Sequence, residues 1–460
     1  MKRYLEYFLE ISNIPRKPGE EGEIADYLVE FAVERGLKYY RDDINNVVIW
    51  KEASLGYEDK GVLALQSHVD MICEKTLDST HNFSKDSLDV YIDGDFVKAR
   101  GTTLGADNGV GVAYMLSILD SKEIKAPKLE CIFTAQEETT MNGARFIDET
   151  KLLSNRIISF DNFSENDMWV SSANSKEWEL KCDIEYEKTK EDYATYELDL
   201  RDFLGGHSGL DIGDEDRVNP IKLAIELLKN KDIVINELKG GSRVNIIPRE
   251  FNVIFSTKEN IEDISEKITE INNKLKQGKV ALKKVNFIEK CFSKETTKNV
   301  ISFIAEFRNG ALNRDAEENI ILSANMGAVE MKKNELIIKC SLRANDKVLG
   351  EKLKEEIENN MMQNNITVKF FDEMLGYFPK NNSELVEKCA RVYKDTFGKE
   401  IRKIKVQACL ECGFFAEKIK DLEYVSIAPN IYNAHSPDEK FSISSADRMW
   451  DYIVNLLKKI

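Results

Sequence analysis

Three apolar runs in the first third of the chain each end abruptly in acidic or imidazole side chains: GVLALQSHVD (61–70), LECIFTAQEE (129–138) and RIISFD (156–161). Runs of this length and composition predict buried strands. Helical patterns alternate with them. Residues 20–35 are amphipathic at helical spacing and stop at Gly36, residues 46–50 read as another strand, and NGVGVAYMLSILD (108–120) opens a helix directly after Asp107. Strand–helix alternation with polar residues at the strand ends predicts an α/β sheet whose site gathers at the carboxyl ends of its strands.

From about residue 183 the character changes. Segments 219–230, 261–276, 297–307 and 347–363 read as amphipathic helices, interleaved with strands near 251–256, 280–288, 318–324, 335–343 and 365–372. Metal-type residues nearly vanish there. After GYFPKNNS (376–383) the earlier alternation resumes and reaches a last histidine motif at 434–439. The expected organisation is a catalytic domain in two parts, 1–182 and 378–460, split by an inserted α+β domain at 183–377.

Composition excludes several classes. The chain has 460 residues, 42% of them hydrophobic, enough for a large core, and 65 basic against 81 acidic residues give a net charge of −16. Such a surface repels phosphate backbones, so no nucleic-acid partner is expected. The opening MKRYLEYFLEISNIP has helical spacing broken by Glu6 and Glu10, unlike a signal peptide. No window approaches the ~18 apolar residues of a membrane span, so no membrane association is expected. Eight scattered cysteines predict reduced thiols and a cytoplasmic location. Cys409 and Cys412 form a lone CxxC that no second pair completes into a zinc site.

The polar residues at the strand ends are His68, Asp70, Asp107, Glu137, Glu138 and Asp161, joined by His435 in NAHSPDE. Taken singly, a HxD, a GADNG turn or paired glutamates would be ordinary. Converging on one cleft, two imidazoles and several carboxylates are the donors that zinc, manganese or cobalt prefer. Uncompensated, these carboxylates would repel one another, and bound cations relieve that repulsion.

The run HVDM, TTLGADNGVGVA, QEETTMNGA, FDN, GGHSG and AHSPDE resembles, in order and over nearly the whole chain, the aminoacylase/carboxypeptidase-type family of two-metal peptidases. The resemblance implies two divalent metal ions per chain, zinc with cobalt or manganese as alternatives, and small peptides as substrates. It implies that Asp107 bridges the metals through a cis peptide to Asn108, that His68 and Asp161 complete one metal, and that Glu138 and His435 complete the other. Glu137 is then the general base, facing away from Glu138 as neighbours on a strand do, and Asp70 orients the His68 imidazole. The insert becomes a lid and dimerisation domain, so a homodimer is expected. His207 of GGHSG steadies the developing oxyanion, Arg343 pairs with the substrate carboxylate, and Glu411 and Gly413 line the substrate side. Relatives read HAGLECG where this chain has Gln407, Ala408 and Cys409 before Leu410, a departure that bears on substrate range and leaves all five ligands intact. The activity implied is hydrolysis of dipeptides with a free amino end. The same fold also serves N-acyl-amino-acid deacylases and tripeptidases, and a non-catalytic metal-binding protein would have no use for Glu137.

Overall fold

The computed structural model describes residues 2–379 and 383–460, so 380–382 of the GYFPKNNS segment lie outside the described residues. The chain forms two compact units. The first comprises Met1–Ser171, Pro379–Ile404 and Glu411–Ile460; the second comprises Ser172–Phe378 with Lys405–Leu410.

The first unit is built on a mixed sheet. Its inner strands lie in the order Val47–Lys51, Lys128–Thr134, Val62–His68, Arg156–Ser159 and Glu423–Ser426. The last four run parallel to one another, and the register sets His68 opposite Thr134 and Gln66 opposite Ser159. Three chains therefore leave the sheet along one edge, each just before a charged residue. The helix Ala106–Asp120 is buried along every residue but its last. It lies so close to the sheet that a Cβ on Gly111 would stand 2.3 Å from the Ser67 hydroxyl and 2.6 Å from Phe160 Cβ. Helices Arg3–Ile11, Glu384–Phe397 and Ile443–Lys459 complete the packing, with Tyr4 and Tyr114 edge to face at 5.0 Å. A small sheet of Val90–Asp93, Phe96–Ala99, Lys440–Ser442 and Ile431–Tyr432 carries the turn that holds His435.

The second unit is α+β. Its antiparallel sheet runs Lys279–Lys284, Ala194–Arg201, Phe251–Thr257, Ile233–Gly241, Ile320–Lys332, Glu335–Ala344, Asn174–Asp183 and Thr367–Met374, with Gly310–Arg314 alongside Ile320–Lys332. Four long helices accompany it: Pro220–Leu228, Glu262–Lys274, Lys294–Glu306 and Lys347–Gln363. Side-chain caps start three of them: Asn219 accepts from the Ile221 and Lys222 amides, Ser293 from Thr296, and Asp346 from Leu349. No helix among the described residues is long and apolar enough to cross a membrane.

Candidate metal centre

His68 is the last residue of its strand, and its ring is pinned at both nitrogens. Nδ1 lies 3.2 Å from the Asp70 carbonyl oxygen and 3.5 Å from its carboxylate, and Nε2 lies 3.1 Å from Asp107 Oδ1. Donation from Nδ1 to Asp70 leaves the Nε2 lone pair aimed at the centre of the cluster. The fully buried Asp70 carboxylate also accepts the Glu137 and Glu138 amides, each at 3.0 Å. One side chain thus fixes both the imidazole and the acidic pair.

Glu137 and Glu138 are not strand residues. The strand stops at Thr134, Gln136 adopts a left-handed conformation at φ 57°, and the two glutamates open the single-turn helix Glu137–Thr140. Their divergence comes from the rotation of about 100° between successive helical positions, rather than from strand alternation. Glu137 Oε2 lies 4.0 Å from His68 Nε2, whereas Glu138 Oε2 lies 3.2 Å from His435 Nε2.

Asp107 sits where the helix Ala106–Asp120 is kinked. Asp107 and Asn108 have non-helical backbone angles and the peptide between them is cis. Its two oxygens face different imidazoles, Oδ1 at 3.1 Å from His68 and Oδ2 at 3.1 Å from His435. His435, in a left-handed turn at φ 64°, is about half exposed and forms the open side of the cluster. Asp161 follows its strand by two residues; its carbonyl accepts the Ser426 hydroxyl at 2.6 Å, and its own residue is buried.

The electrostatics are those of a crowded acidic site. Burial and the neighbouring Asp107 charge push the Asp161 carboxyl up to about 7. Burial, then the same Asp107 charge, raises Glu138; burial with the Asp161 and Glu138 charges raises Glu137. Asp107 goes the other way despite its burial, because hydrogen bonds from His435 and His68 favour its ionised form. The imidazoles are raised against the effect of burial, His68 by Asp107 and Asp70, His435 by Asp107 and Glu138. Ligand atoms of His68, Asp107 and Glu138 lie within 4.8 Å of one another, and the buried Glu138 Oε1 has no hydrogen-bond partner. A donor set of mutually repelling oxygens with one orphaned acceptor fits a divalent cation.

Glu411 and Gly413 lie deeper in the first unit. Glu411 accepts from Gln66 Nε2 at 2.6 Å and Thr134 Oγ1 at 2.7 Å, and burial pushes its carboxyl up to about 8; Gly413 is buried in the helix Cys412–Lys418. His207 and Arg343 belong to the second unit. His207 lies on a two-residue strand paired with Ile246–Ile247, and its Nδ1 accepts the Gly209 and Leu210 amides at 3.1 and 3.2 Å. In the neutral ring the proton therefore resides on Nε2. Arg343 is buried, with Nη1 at 3.3 Å from both the Gln407 carbonyl and Cys409 Sγ, and with Nε unpartnered. The Gln407 side chain is turned into structural bonds: its amide nitrogen donates to the Ile320 carbonyl and to Asn345, and its oxygen accepts from Ser323. All eight cysteines are free, so the CxxC closes no disulfide.

A sequence model of peptidase family M20/M25/M40 matches residues 64–459. The chain belongs to that family. Among relatives of this M20 peptidase, the cytosol non-specific dipeptidase of Escherichia coli (strain K12) is 29% identical, the match covering 98% of this chain and 96% of the relative. The crystal structure of aminoacylhistidine dipeptidase from Vibrio alginolyticus superposes with a TM-score of 0.89 at 30% identity, covering 100% of this chain and 96% of that one. A tripeptidase from Staphylococcus aureus shares the fold at 14% identity, with a TM-score of 0.58 and coverage of 99% and 97%.

Two residues that hold this site escaped the sequence reading. Arg16 and Glu439 are both buried and both bond the backbone of segments that carry the candidate ligands. Glu439 stood inside AHSPDE, four residues past His435, and that position was the only signal; Arg16 lies in a loop without periodicity.

Proposed function

We propose that the protein is a dinuclear metallo-dipeptidase that hydrolyses dipeptides with a free amino end, Xaa-His among them. One observation carries the reading most: the two oxygens of Asp107 each stand 3.1 Å from a different imidazole, the disposition of a carboxylate that serves two cations at once. His68 and Asp161 would hold one cation, and Glu138 and His435 the other. Zinc is the metal proposed, with cobalt or manganese able to substitute. When bound, such a pair polarises the scissile carbonyl and makes water a better nucleophile.

The chain's own residues divide the remaining work. Glu137, largely enclosed beside its like-charged neighbours and raised in proton affinity, takes the proton of the attacking water and returns it to the leaving amine. Asp70 holds the His68 ring and, through the two amides it accepts, the placement of Glu137. His207, with its proton on Nε2, is proposed as a donor to the oxyanion, and Arg343, with an unpartnered Nε, as the partner of the substrate carboxylate. Glu411 and Gly413 are proposed to support the substrate side. A homodimer is proposed as the working form from the family resemblance alone, and a cytoplasmic location in keeping with the Escherichia coli relative, a cytosol dipeptidase, and with eight free thiols.

A substrate panel tests the activity. Free dipeptides, including Xaa-His, are expected to be cleaved, while N-acetylated amino acids and tripeptides are cleaved at least about tenfold more slowly in kcat/KM, roughly 1.4 kcal/mol of discrimination. Deacylation or tripeptide cleavage as the dominant activity overturns the assignment. For His207→Ala, turnover is expected to fall about 10²–10³-fold, as on removal of one oxyanion donor, with metal content unchanged. Loss of a metal in that variant removes the role.

A further inference from the structure

Three ligand-bearing segments of the first unit are far apart in sequence: 68–70, 104–107 and 435–439. Glu439 is 3% exposed, and its carboxylate accepts four consecutive backbone amides: Oε2 from Leu104 at 2.8 Å and Gly105 at 2.9 Å, Oε1 from Ala106 at 2.8 Å and Asp107 at 3.2 Å. Only an ionised carboxylate offers enough lone pairs to accept all four. The chain can present those amides to one side because Gly105 is left-handed, at φ 67°. Arg16, 2% exposed, grips the carbonyl side. Nη2 donates to the Gly105 oxygen at 2.8 Å, and Nη1 donates to the Val69 oxygen at 3.1 Å and the Asp70 oxygen at 3.4 Å. A Cβ on residue 105 would stand 2.3 Å from Arg16 Nη2, so the guanidinium occupies the space a side chain would need.

We infer that Arg16 and Glu439 are a pair of positioning residues that set the spacing of the candidate metal ligands, although neither is a ligand. Glu439 ties the turn carrying His435 to the amide of Asp107. Arg16 ties the residues that follow His68 to the same loop from its other side. The pair is of opposite charge, so each buried ion has a counter-ion across the loop it holds. A buried ionic pair is weak evidence for stability and better suited to fixing geometry. A cation site is sensitive to geometry, and removing groups that hold ligands typically costs about 10–100-fold in metal affinity or activity.

The inference rests on the reading of His68, Asp107 and His435 as metal ligands, and its test reads metal binding rather than turnover. Apo-protein is titrated with zinc against a chromophoric chelator, and the thermal midpoint of each apo-variant is recorded. Glu439→Gln, which sets an amide NH2 against backbone donors, is expected to weaken zinc binding about 10–100-fold. Glu439→Asp, which keeps the charge, is expected to recover part of that loss, and Arg16→Lys to weaken binding as well. The control is Glu130→Gln. Glu130 is a comparably buried carboxylate held by Trp50 Nε1 and the Leu153 and Ser154 amides, and it is expected to lower the midpoint while leaving zinc affinity at the wild-type value. Wild-type affinity in Glu439→Gln, or an equal loss of affinity in Glu130→Gln, overturns the inference. Should Glu439→Gln not fold, Glu439→Asp decides: weakened binding supports the pair, and wild-type affinity refutes it. If the unaltered protein takes up no zinc, cobalt or manganese, the ligand reading falls and this inference falls with it.

Discussion

Exhaustive chelation is expected to reduce peptide hydrolysis to background, and zinc, cobalt or manganese is expected to restore it. The reason lies in the charge balance of the site. Asp107, Glu137, Glu138 and Asp161 are packed with only two imidazoles, and burial, together with repulsion from neighbouring carboxylates, raises the proton affinity of three of the four carboxyls. Without dications those groups favour their protonated forms, and water would lack the neighbouring charge that makes it a better nucleophile. With dications the carboxylates stay ionised and the imidazoles neutral, as ligation demands. The same argument predicts a thermal midpoint that rises with metal concentration, because the ion binds the folded chain far better than the unfolded one. Metal content is to be measured by atomic spectrometry on the sample assayed. Undiminished turnover in a sample free of metal would end the two-metal mechanism.

The second large effect separates a proton carrier from a ligand. Glu137→Gln is expected to lower kcat by about 10²–10⁴-fold, the usual range for a lost general acid–base group, with both metals retained. The amide keeps the shape of the side chain and cannot accept the proton. Glu138→Gln should lower metal stoichiometry as well, since Glu138 Oε2 is the atom beside His435 and its Oε1 is the orphaned acceptor. The two glutamates are adjacent and share one helical turn, so a difference between the variants reflects where each carboxylate points rather than local unfolding. Near-normal turnover in Glu137→Gln would remove its role as base.

Much of the arrangement was legible because buried strands are hard to mistake. GVLALQSHVD, LECIFTAQEE and RIISFD form parallel neighbours, and parallel register alone brings their polar ends to one edge. The four helices of the second unit were legible for the corresponding reason, an apolar stripe at helical spacing. What failed was the conformation just past the strand ends. A left-handed Gln136 turns the chain, and no pattern in TAQEE announces that residue's conformation. The strand Asn174–Asp183 lies in the second unit, ahead of the change in composition near 183, because its alternating SKEWELKCD looks like a surface strand until Glu335–Ala344 and Thr367–Met374 flank it. Ala194–Arg201 and Ile233–Gly241 went unread, although YELDLR in the first alternates apolar and charged side chains as a half-buried strand does. Gln407 stood out only as a departure from relatives; its bonds to Ile320, Ser323 and Asn345 come from segments dozens of residues away. Arg16 and Glu439 were illegible for a plainer reason: a charged residue in a loop reads as solvated, and its burial is decided by segments distant in sequence.

The placement of His435 has a consequence for biosynthesis. Asp161 and His435 are separated by the whole of the second unit, so a ribosome adding about 5–20 residues each second leaves the nascent first unit one imidazole short for tens of seconds. During that interval its acidic cluster has lost the turn that also delivers Glu439. The second unit, for its part, lacks the Lys405–Leu410 segment until just before the end. The second unit is complete once Leu410 is made, ahead of the first, and a chain released between residues 410 and 435 would carry a complete insert and an incomplete set of candidate ligands.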